Sequence, residues 1–506
     1  MVGYKLKRSQ INMKIDIENS FQYFSYLFLF YLISHGGLLL VPNAIFWDDW
    51  ALFPLDKDHT TEIFKQLGRF FNIDTYVHIS LLSIGPWTYK ALTFILMFGS
   101  GIALDKILAK HDFITSGTRF LIVLFFLIMP FYWGRVALIC MPYTISYFLF
   151  FLAWAIIDRY RVFSLFLFFL SFNTNSLLVF YALPILDCYI RMKKKEKISQ
   201  SFLIACAKKI DFLLLPFVFF AIKVTFFQPS GDYQGYNEQY NLINLFKAPI
   251  KMFMDWSSLK LPIIFTLILA LIINTFMRKL LNGLGALSRG GSFYLFYSGI
   301  LSFAIAGFPY WILGHVPTFS EWTSRHQLLL PLGLALIIVS ILVSVPNRTR
   351  LNYIIIAISL CGATNVFTYK DFYFDWQKQK KLIYYLKRND LVLDADLIVF
   401  DDRANSLNAI NRTIRFYEWN GILKYTFGDE SRHGLNLDQL YDYSDKKNNK
   451  WPHKNQLSRP KGYTLSKNPE AVLIIIRPKN FANYLFGKGP LIEVEASKLS
   501  NVVIDL

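Results

Sequence analysis

Long apolar runs fill residues 1–367, whereas residues 368–506 mix polar and apolar positions as soluble domains do. A helix needs about 20 apolar residues to cross a bilayer core. The pattern therefore predicts an α-helical polytopic membrane protein with about eleven transmembrane helices. The first run is too long for the apolar region of a signal peptide, and no small-residue cleavage site follows it. The runs fall at 21–41, 87–108, 120–134, 137–157, 162–172, 176–190, 210–227, 261–277, 292–314, 327–345 and 351–367.

The fifth and sixth runs are short, and the polar segment 171–176 joins them. Short, interrupted helices are tolerated at membrane depth where they line a cavity instead of facing lipid. We therefore expect residues 162–190 to form a broken helix pair beside a cavity.

Basic residues are distributed unevenly between the two sets of loops. With a cytoplasmic N-terminus, the predicted cytoplasmic segments carry 21 Lys and Arg residues and the opposite loops carry eight. Cytoplasmic loops are enriched in these cations. An odd number of helices then places a C-terminal domain, residues 368–506, outside the cytoplasm. Joining the fifth and sixth runs into one helix would export the basic segment 191–197, which the same rule disfavours.

The C-terminal residues predict a small α/β domain. Residues 372–389 have helical spacing, and residues 391–400, 471–476 and 491–494 have strand character. The polar stretch 429–468 between them carries little structural signal. The predicted division is a transmembrane domain over 1–367 and an extracytoplasmic domain over 368–506.

Composition narrows the class of protein further. Hydrophobic residues make up 54% of the chain, charged residues only 17%, and the mean hydropathy is +0.35. The net charge of +18 could suggest nucleic-acid binding. However, the cations lie in short loops between apolar runs, a distribution that sets the orientation of membrane helices. We therefore expect no nucleic-acid partner. The four cysteines have neither metal-ligand nor disulfide-framework spacing.

The sharpest candidate for chemistry is an acidic pair just beyond the first helix. Asp48 and Asp49 lie between Trp47 and Trp50. A carboxylate near the headgroup level, shielded from water by tryptophans, has a raised pKa and can act as a general base. The alternative is an interfacial aromatic belt with two solvated acids. An Asp pair can also hold Mg²⁺ or Mn²⁺, although no metal-ligand motif accompanies it here.

Other outer segments supply candidate binding residues. Arg325 follows Glu321 and precedes His326 at the start of a helix, and Arg can bind a phosphate through two donors. The alternative for Arg325 is an interfacial arginine that snorkels to the headgroups. Lys223 lies in an apolar run, where function and snorkelling compete as explanations. Tyr233 and Tyr236 lie in the outer loop 228–260 and suit sugar stacking, although soluble loops often have the same residues. Residues 62–71 have the spacing of a helix on the membrane surface, with simple loop packing as the alternative.

Together these features resemble the membrane-embedded glycosyltransferases of the GT-C fold. The resemblance rests on the acidic pair in the first outer loop, the broken helix pair, the surface helix, the late basic residue and the outer C-terminal domain. It implies Asp48 or Asp49 as the catalytic base, with the other organising the loop. Arg325, His326 and Lys223 would then contact the donor phosphate, and Trp47, Trp50, Glu321, Tyr233 and Tyr236 the substrates.

Such enzymes transfer a sugar from a polyprenyl-phosphate carrier to an outer-face acceptor with inversion at the anomeric carbon. The expected acceptor is a polysaccharide or related glycan, and the expected location is the bacterial inner (plasma) membrane. Two alternatives use the same substrate class: a transporter or flippase of lipid-linked sugars, and a polymerase or ligase of lipid-linked glycans. A transporter should show paired repeats and midplane ionisable residues, and neither is clear here.

Overall fold

Helices dominate the architecture. A computed structural model describes residues 21–52, 57–69, 73–196, 210–235, 240–257, 259, 261–283, 291–428, 432–438, 470–479, 484 and 490–499. The helices are α1 (Phe21–Leu40), α2 (Asp49–Leu52), α3 (Lys57–Gln66), α4 (Ile73–Leu82), α5 (Pro86–Leu108), α6 (Ser116–Ile128), α7 (Met141–Ile156), α8 (Arg161–Ser171), α9 (Ser176–Phe180), α10 (Ala182–Glu196), α11 (Ile210–Phe226), α12 (Asn244–Ser257), α13 (Ile263–Gly283), α14 (Ser292–Trp311), α15 (Leu330–Ser344), α16 (Asn347–Leu386), α17 (Asp390–Leu393) and α18 (Phe416–Phe427).

Five of the described helices are long and apolar enough to cross a membrane, and a sixth span results if a bent pair counts as one. The five begin at residues 21, 86, 138, 292 and 347, and the bent pair joins a short 3₁₀ helix, Glu321–Gln327, to α15 at 69°. Each predicted apolar run overlaps a helix, but α6, α8 and α11 are shorter than a full crossing. The fold is thus compatible with an integral membrane protein, and the structure does not confirm eleven crossings.

The predicted cytoplasmic segments meet at one end of the helical domain through ion pairs. Arg191 pairs with both Asp158 (2.6 Å) and Asp187 (3.1 Å), and Lys110 pairs with Asp158 (2.7 Å). His111 Nε2 lies 2.9 Å from Asp187. The α5–α6 and α7–α8 connections and helix α10 are therefore held together here.

The predicted outer loops meet at the opposite end. The amide of Ser230 donates to the carbonyl of Gln66 (2.9 Å), and the amide of Asn241 donates to that of Ile312 (3.0 Å). Residues 228–260 were predicted as an outer loop, but they contain helix α12. Asp255 of this helix accepts a hydrogen bond from the amide of Phe319 (2.7 Å). Among the described residues, these contacts join segments that the distribution of cations assigns to the same set.

The C-terminal part contains a four-stranded sheet in the order β2-β1-β3-β4, with strands β1 (Leu397–Asp402), β2 (His433–Asn436), β3 (Ala471–Pro478) and β4 (Ile492–Lys498). β1 runs parallel to both β2 and β3, and β4 is antiparallel to β3. Helix α18 connects β1 to β2, so this part is a small α/β unit as predicted. The predicted strand over 391–400 starts later than expected, because residues 390–393 form the short helix α17.

The two parts share one long helix. α16 is a single 40-residue helix that runs through the predicted boundary at 367/368 without a break. Tyr369 and Phe372 pack in the core of the helical domain, while Leu382 and Leu386 pack in the core of the α/β unit. A continuous helix of this length, about 60 Å, fixes the α/β unit relative to the helical domain. Most of the predicted low-signal stretch, residues 439–468, lies outside the described residues.

Candidate functional site

The acidic pair lies in a sharp turn where the backbone of Trp47 adopts a left-handed conformation, with φ of +58°. Such a conformation is costly for a residue with a side chain, and it persists only where its surroundings enforce it. The ring of Trp47 stacks on Trp322, with centroids 4.9 Å apart and planes 12° apart. The amide of Trp47 donates to the carboxylate of Glu418 (3.2 Å). The turn is therefore held by two distant parts of the chain.

The side chain of Asp49 turns inward, where backbone amides bind its carboxylate. Its carboxylate accepts hydrogen bonds from the amides of Leu138 (2.7 Å), Ile139 (2.9 Å) and Phe46 (3.4 Å). Burial raises the pKa of this carboxyl, and the nearby charge of Lys90 together with the three amides opposes that rise. Asp49 thereby joins the turn to the 3₁₀ segment 138–140.

Asp48 faces a different set of groups. Burial raises the pKa of its carboxyl, and three groups oppose the rise: a hydrogen bond from Tyr417 and the charges of Arg325 and Arg415. The side chain is partly exposed, unlike that of Asp49. Asp48 is therefore a carboxylate in a poorly solvated position with a guanidinium close to it.

Arg325 belongs to the 3₁₀ helix Glu321–Gln327, and its guanidinium carbon lies 4.6 Å from the centroid of the Trp47 ring. The backbone of Arg325 packs against Gly134, where an added Cβ would come within 3.2 Å of the Arg325 Cα. Trp47 thus lies against the cation while Asp48, its neighbour, lies within the field of the same charge. The structure thus brings Asp48 and Arg325 together from distant parts of the sequence.

Two histidines close to Arg325 in sequence also contact each other. The rings of His315 and His326 stack with centroids 5.0 Å apart, and Tyr310 lies 4.9 Å from His326. Burial and the charge of Arg325 lower the pKa of His315, so this imidazole is neutral at pH 7. The hydroxyl of Tyr310 donates to Ser176 (3.0 Å), which opens α9 in the predicted broken pair.

A second cationic group lies on the other side of that pair. Arg69 pairs with Asp74 (3.1 Å) and donates to the hydroxyl of Tyr143 (2.9 Å). Lys223 donates to the side-chain carbonyl of Asn175 (2.5 Å) and lies close to both Arg69 and Asp74. Two cations therefore lie near one carboxylate at the break between α8 and α9.

The remaining predicted residues lie in several places. Trp50 is completely buried in the core of the α/β unit, where its indole donates to Gln379 (2.8 Å). Glu321, with φ of +57°, accepts the amide of Thr413 (3.0 Å). Tyr233 lies in a short 3₁₀ turn after α11, and Tyr236 lies outside the described residues.

Asp49 also lines a small cavity together with Thr60, Phe64, His78 and Tyr89. The hydroxyl of Tyr89 donates to the carbonyl of His78 and so must accept from Nδ1 of the same residue (3.1 Å). Burial lowers the pKa of His78 to about 4, so its ring is neutral. The helix predicted over 62–71 overlaps α3 only at 62–66, because α3 begins at Lys57 and ends at Gln66; residues 70 and 71 lie outside the described residues.

Metal ligands do not converge within the part of the chain that the structure describes: it contains no cluster of three or more His, Cys, Asp and Glu side chains. The two carboxylates of the acidic pair point to different partners. Binding of Mg²⁺ or Mn²⁺ stays an untested prediction.

Sequence reasoning did not single out Arg69, Tyr143, Arg415 and Tyr417 as site residues. Arg69 was identifiable as one of only three cations in a long outer loop. Nothing in the sequence pattern links the α/β unit to the acidic pair. No protein-family model matches the chain, and neither the curated proteins nor the solved structures contain a significant match.

Proposed function

We propose that this protein is a membrane glycosyltransferase of the GT-C type that transfers a sugar from a polyprenyl-phosphate carrier to an outer-face glycan. The observation that carries the proposal is the juxtaposition of Asp48 and Arg325 around Trp47. A proton acceptor and a phosphate-binding cation are the two groups that this transfer requires.

Asp48 is the better candidate for the base, because three backbone amides already occupy most of the acceptor sites of Asp49. In the reaction, the Asp48 carboxylate accepts the proton of the acceptor hydroxyl, whose oxygen attacks the anomeric carbon. The bond from that carbon to the phosphate oxygen breaks on the opposite face, so the configuration inverts. Arg325 stabilises the negative charge of the departing lipid phosphate.

The donor side extends from Arg325 through His326 and Tyr310 to the break at Ser176, beyond which lie Arg69 and Lys223. Tyr310 lies close to both Arg325 and Tyr143, the partner of Arg69. A continuous row of donors and cations of this kind suits an anionic headgroup. Trp47 offers an aromatic face for a sugar, while the burial of Trp50 gives it a packing role.

The topology belongs to the same proposal. We place the N-terminus in the cytoplasm, the α/β unit outside, and a crossing at each of the eleven apolar runs of a bacterial inner membrane. Contacts among the predicted cytoplasmic segments, and among the predicted outer segments, support this arrangement. Short helices such as α8 also cross in this arrangement, because they line a cavity at the site instead of facing lipid.

One observation favours the polymerase or ligase alternative. Proteins of that class rely on outer-loop arginines, and Arg69 and Arg325 both lie beside the broken helix pair. Such an activity would use a glycan linked through a diphosphate, which offers more charge to two cationic groups than a monophosphate does.

Transfer by the purified protein in proteoliposomes tests the proposal. Polyprenyl-phosphate sugars and polyprenyl-diphosphate glycans are supplied separately with glycan acceptors, and mass spectrometry follows products and released carrier. We expect transfer from the monophosphate donors and its loss in Asp48→Asn, with Asp58→Asn as the control in the same loop. Transfer only from diphosphate donors favours the ligase, transport without transfer favours the flippase, and full activity of Asp48→Asn contradicts the proposed base.

A further inference from the structure

The α/β unit contacts the acidic turn directly through the segment 412–418, where α18 begins. Glu418, at the first turn of α18, accepts the amide of Arg415 (3.1 Å) and the amide of Trp47 (3.2 Å) with its two oxygens. The same carboxylate pairs with Arg412, and Trp47, Arg412 and Glu418 are all buried. One side chain thus fixes the start of α18 and the residue that precedes Asp48.

Arg412 connects this contact to the long helix. Its guanidinium lies between Glu418 and Asp375 of α16, with Nε 2.9 Å from the Asp375 carboxylate. Both partners are almost completely inaccessible to solvent. A buried charge is tolerated when it is paired and hydrogen-bonded on all sides, so the geometry of this connection is closely defined. It runs from α16 through Arg412 and Glu418 to the acidic turn.

The opposite face of the turn is equally constrained. An added Cβ at Gly421 would lie 2.0 Å from the carbonyl oxygen of Trp50, so α18 approaches the backbone of α2 as closely as a glycine allows. The amide of Thr413 donates to Glu321 in the loop that carries Arg325. Segment 412–418 therefore touches both loops of the proposed site.

We propose that the α/β unit completes the catalytic site, with Tyr417 as a positioning residue: the contact between Glu418 and the amide of Trp47 sets its hydroxyl beside the Asp48 carboxylate. Arg415, exposed beside it, adds a solvent-screened positive charge. The α/β unit thus contributes directly to catalysis and not only to binding. This inference rests on the proposed role of Asp48 as the base.

Removing a donor from a carboxylate disfavours its charged form. Tyr417→Phe should therefore raise the pKa of Asp48 and move the acid limb of the kcat/KM profile upward by about one to two pH units. Arg415→Gln should move it in the same direction by less, and added salt should erase that smaller difference. Tyr425→Phe removes a hydroxyl from the same helix but keeps the ring that contacts Trp50, and it should leave the profile unchanged.

The experiment measures pH profiles of sugar transfer by the full-length variants in proteoliposomes. A shifted acid limb in Tyr417→Phe, absent from Tyr425→Phe, supports the inference. Reduced activity with an unshifted limb identifies a merely structural residue and overturns it. If Tyr417→Phe does not fold, Arg415→Gln decides, because its side chain is exposed. Full activity of Asp48→Asn instead defeats the proposed base, whereas an inactive Asp48→Asn with unshifted Tyr417 and Arg415 variants defeats this inference alone.

Discussion

The two adjacent acids should respond in opposite ways to the same substitution. In Asp49→Asn the amide oxygen can replace only one of the carboxylate oxygens that accept the amides of Leu138 and Ile139. The new NH₂ group then faces a backbone N–H in a buried position. An unsatisfied buried donor costs about 1–3 kcal/mol. The loss of negative charge beside buried Lys90 adds to this, so we expect a loss of about 3–5 kcal/mol.

Asp48→Asn should leave stability unchanged or raise it at pH 7. An asparagine still accepts the Tyr417 hydroxyl, and the desolvation cost of the charge disappears. Because the folded pKa of Asp48 lies above its unfolded value of 3.8, the folded state binds the proton more tightly. The free energy of unfolding of the wild type, relative to Asp48→Asn, therefore falls as the pH rises from about 3.8 through the folded pKa.

Thermal unfolding of the purified variants in detergent, at one scan rate, measures these effects. We expect a clearly lower apparent Tm for Asp49→Asn and an unchanged or higher one for Asp48→Asn. Sugar transfer in the same preparations should be lost in Asp48→Asn despite its intact fold. Equal Tm values for the two variants, or a destabilised Asp48→Asn, would refute the division of roles between the two carboxylates.

Two further substitutions test the surroundings of the site. Arg412→Met should lower the stability of the α/β unit by about 3–5 kcal/mol, because Asp375 and Glu418 are left as buried, unpaired carboxylates; chemical denaturation followed by tryptophan fluorescence measures the loss, and an unchanged midpoint would contradict it. Gly134→Ala should keep the fold but displace Arg325 by a few tenths of an ångström, lowering transfer about tenfold; a wild-type rate with an unchanged Tm would show that the placement of Arg325 is not critical.

Much of the helical architecture follows from the sequence because the bilayer imposes a simple length and polarity pattern. The runs, the break at 171–176 and the grouping of loops all derive from that pattern. The number of crossings does not, since α6 has 13 residues and α8 has 11, fewer than the about 20 that a crossing needs. Residues 368–389 read as the start of a soluble domain, but helical propensity continues through them and yields one helix, α16.

The site was predictable only in part. The sequence identifies Asp48, Asp49 and Arg325 by their unusual residue types and positions. It does not say which acid faces the cation, because adjacent residues point in different directions and the left-handed turn at Trp47 decides their orientation. Tyr417 and Glu418 lie about 370 positions away from the acidic pair, in an ordinary helix start. Only tertiary packing reveals that they belong to the same site.

The most direct test of the account is an experimental structure of the protein in lipid nanodiscs with a polyprenyl phosphate bound. We expect phosphate oxygens within hydrogen-bonding distance of the Arg325 guanidinium, in a cavity that also exposes the Asp48 carboxylate. A lipid phosphate bound elsewhere, with Asp48 remote from it and turned to bulk water, would contradict the account.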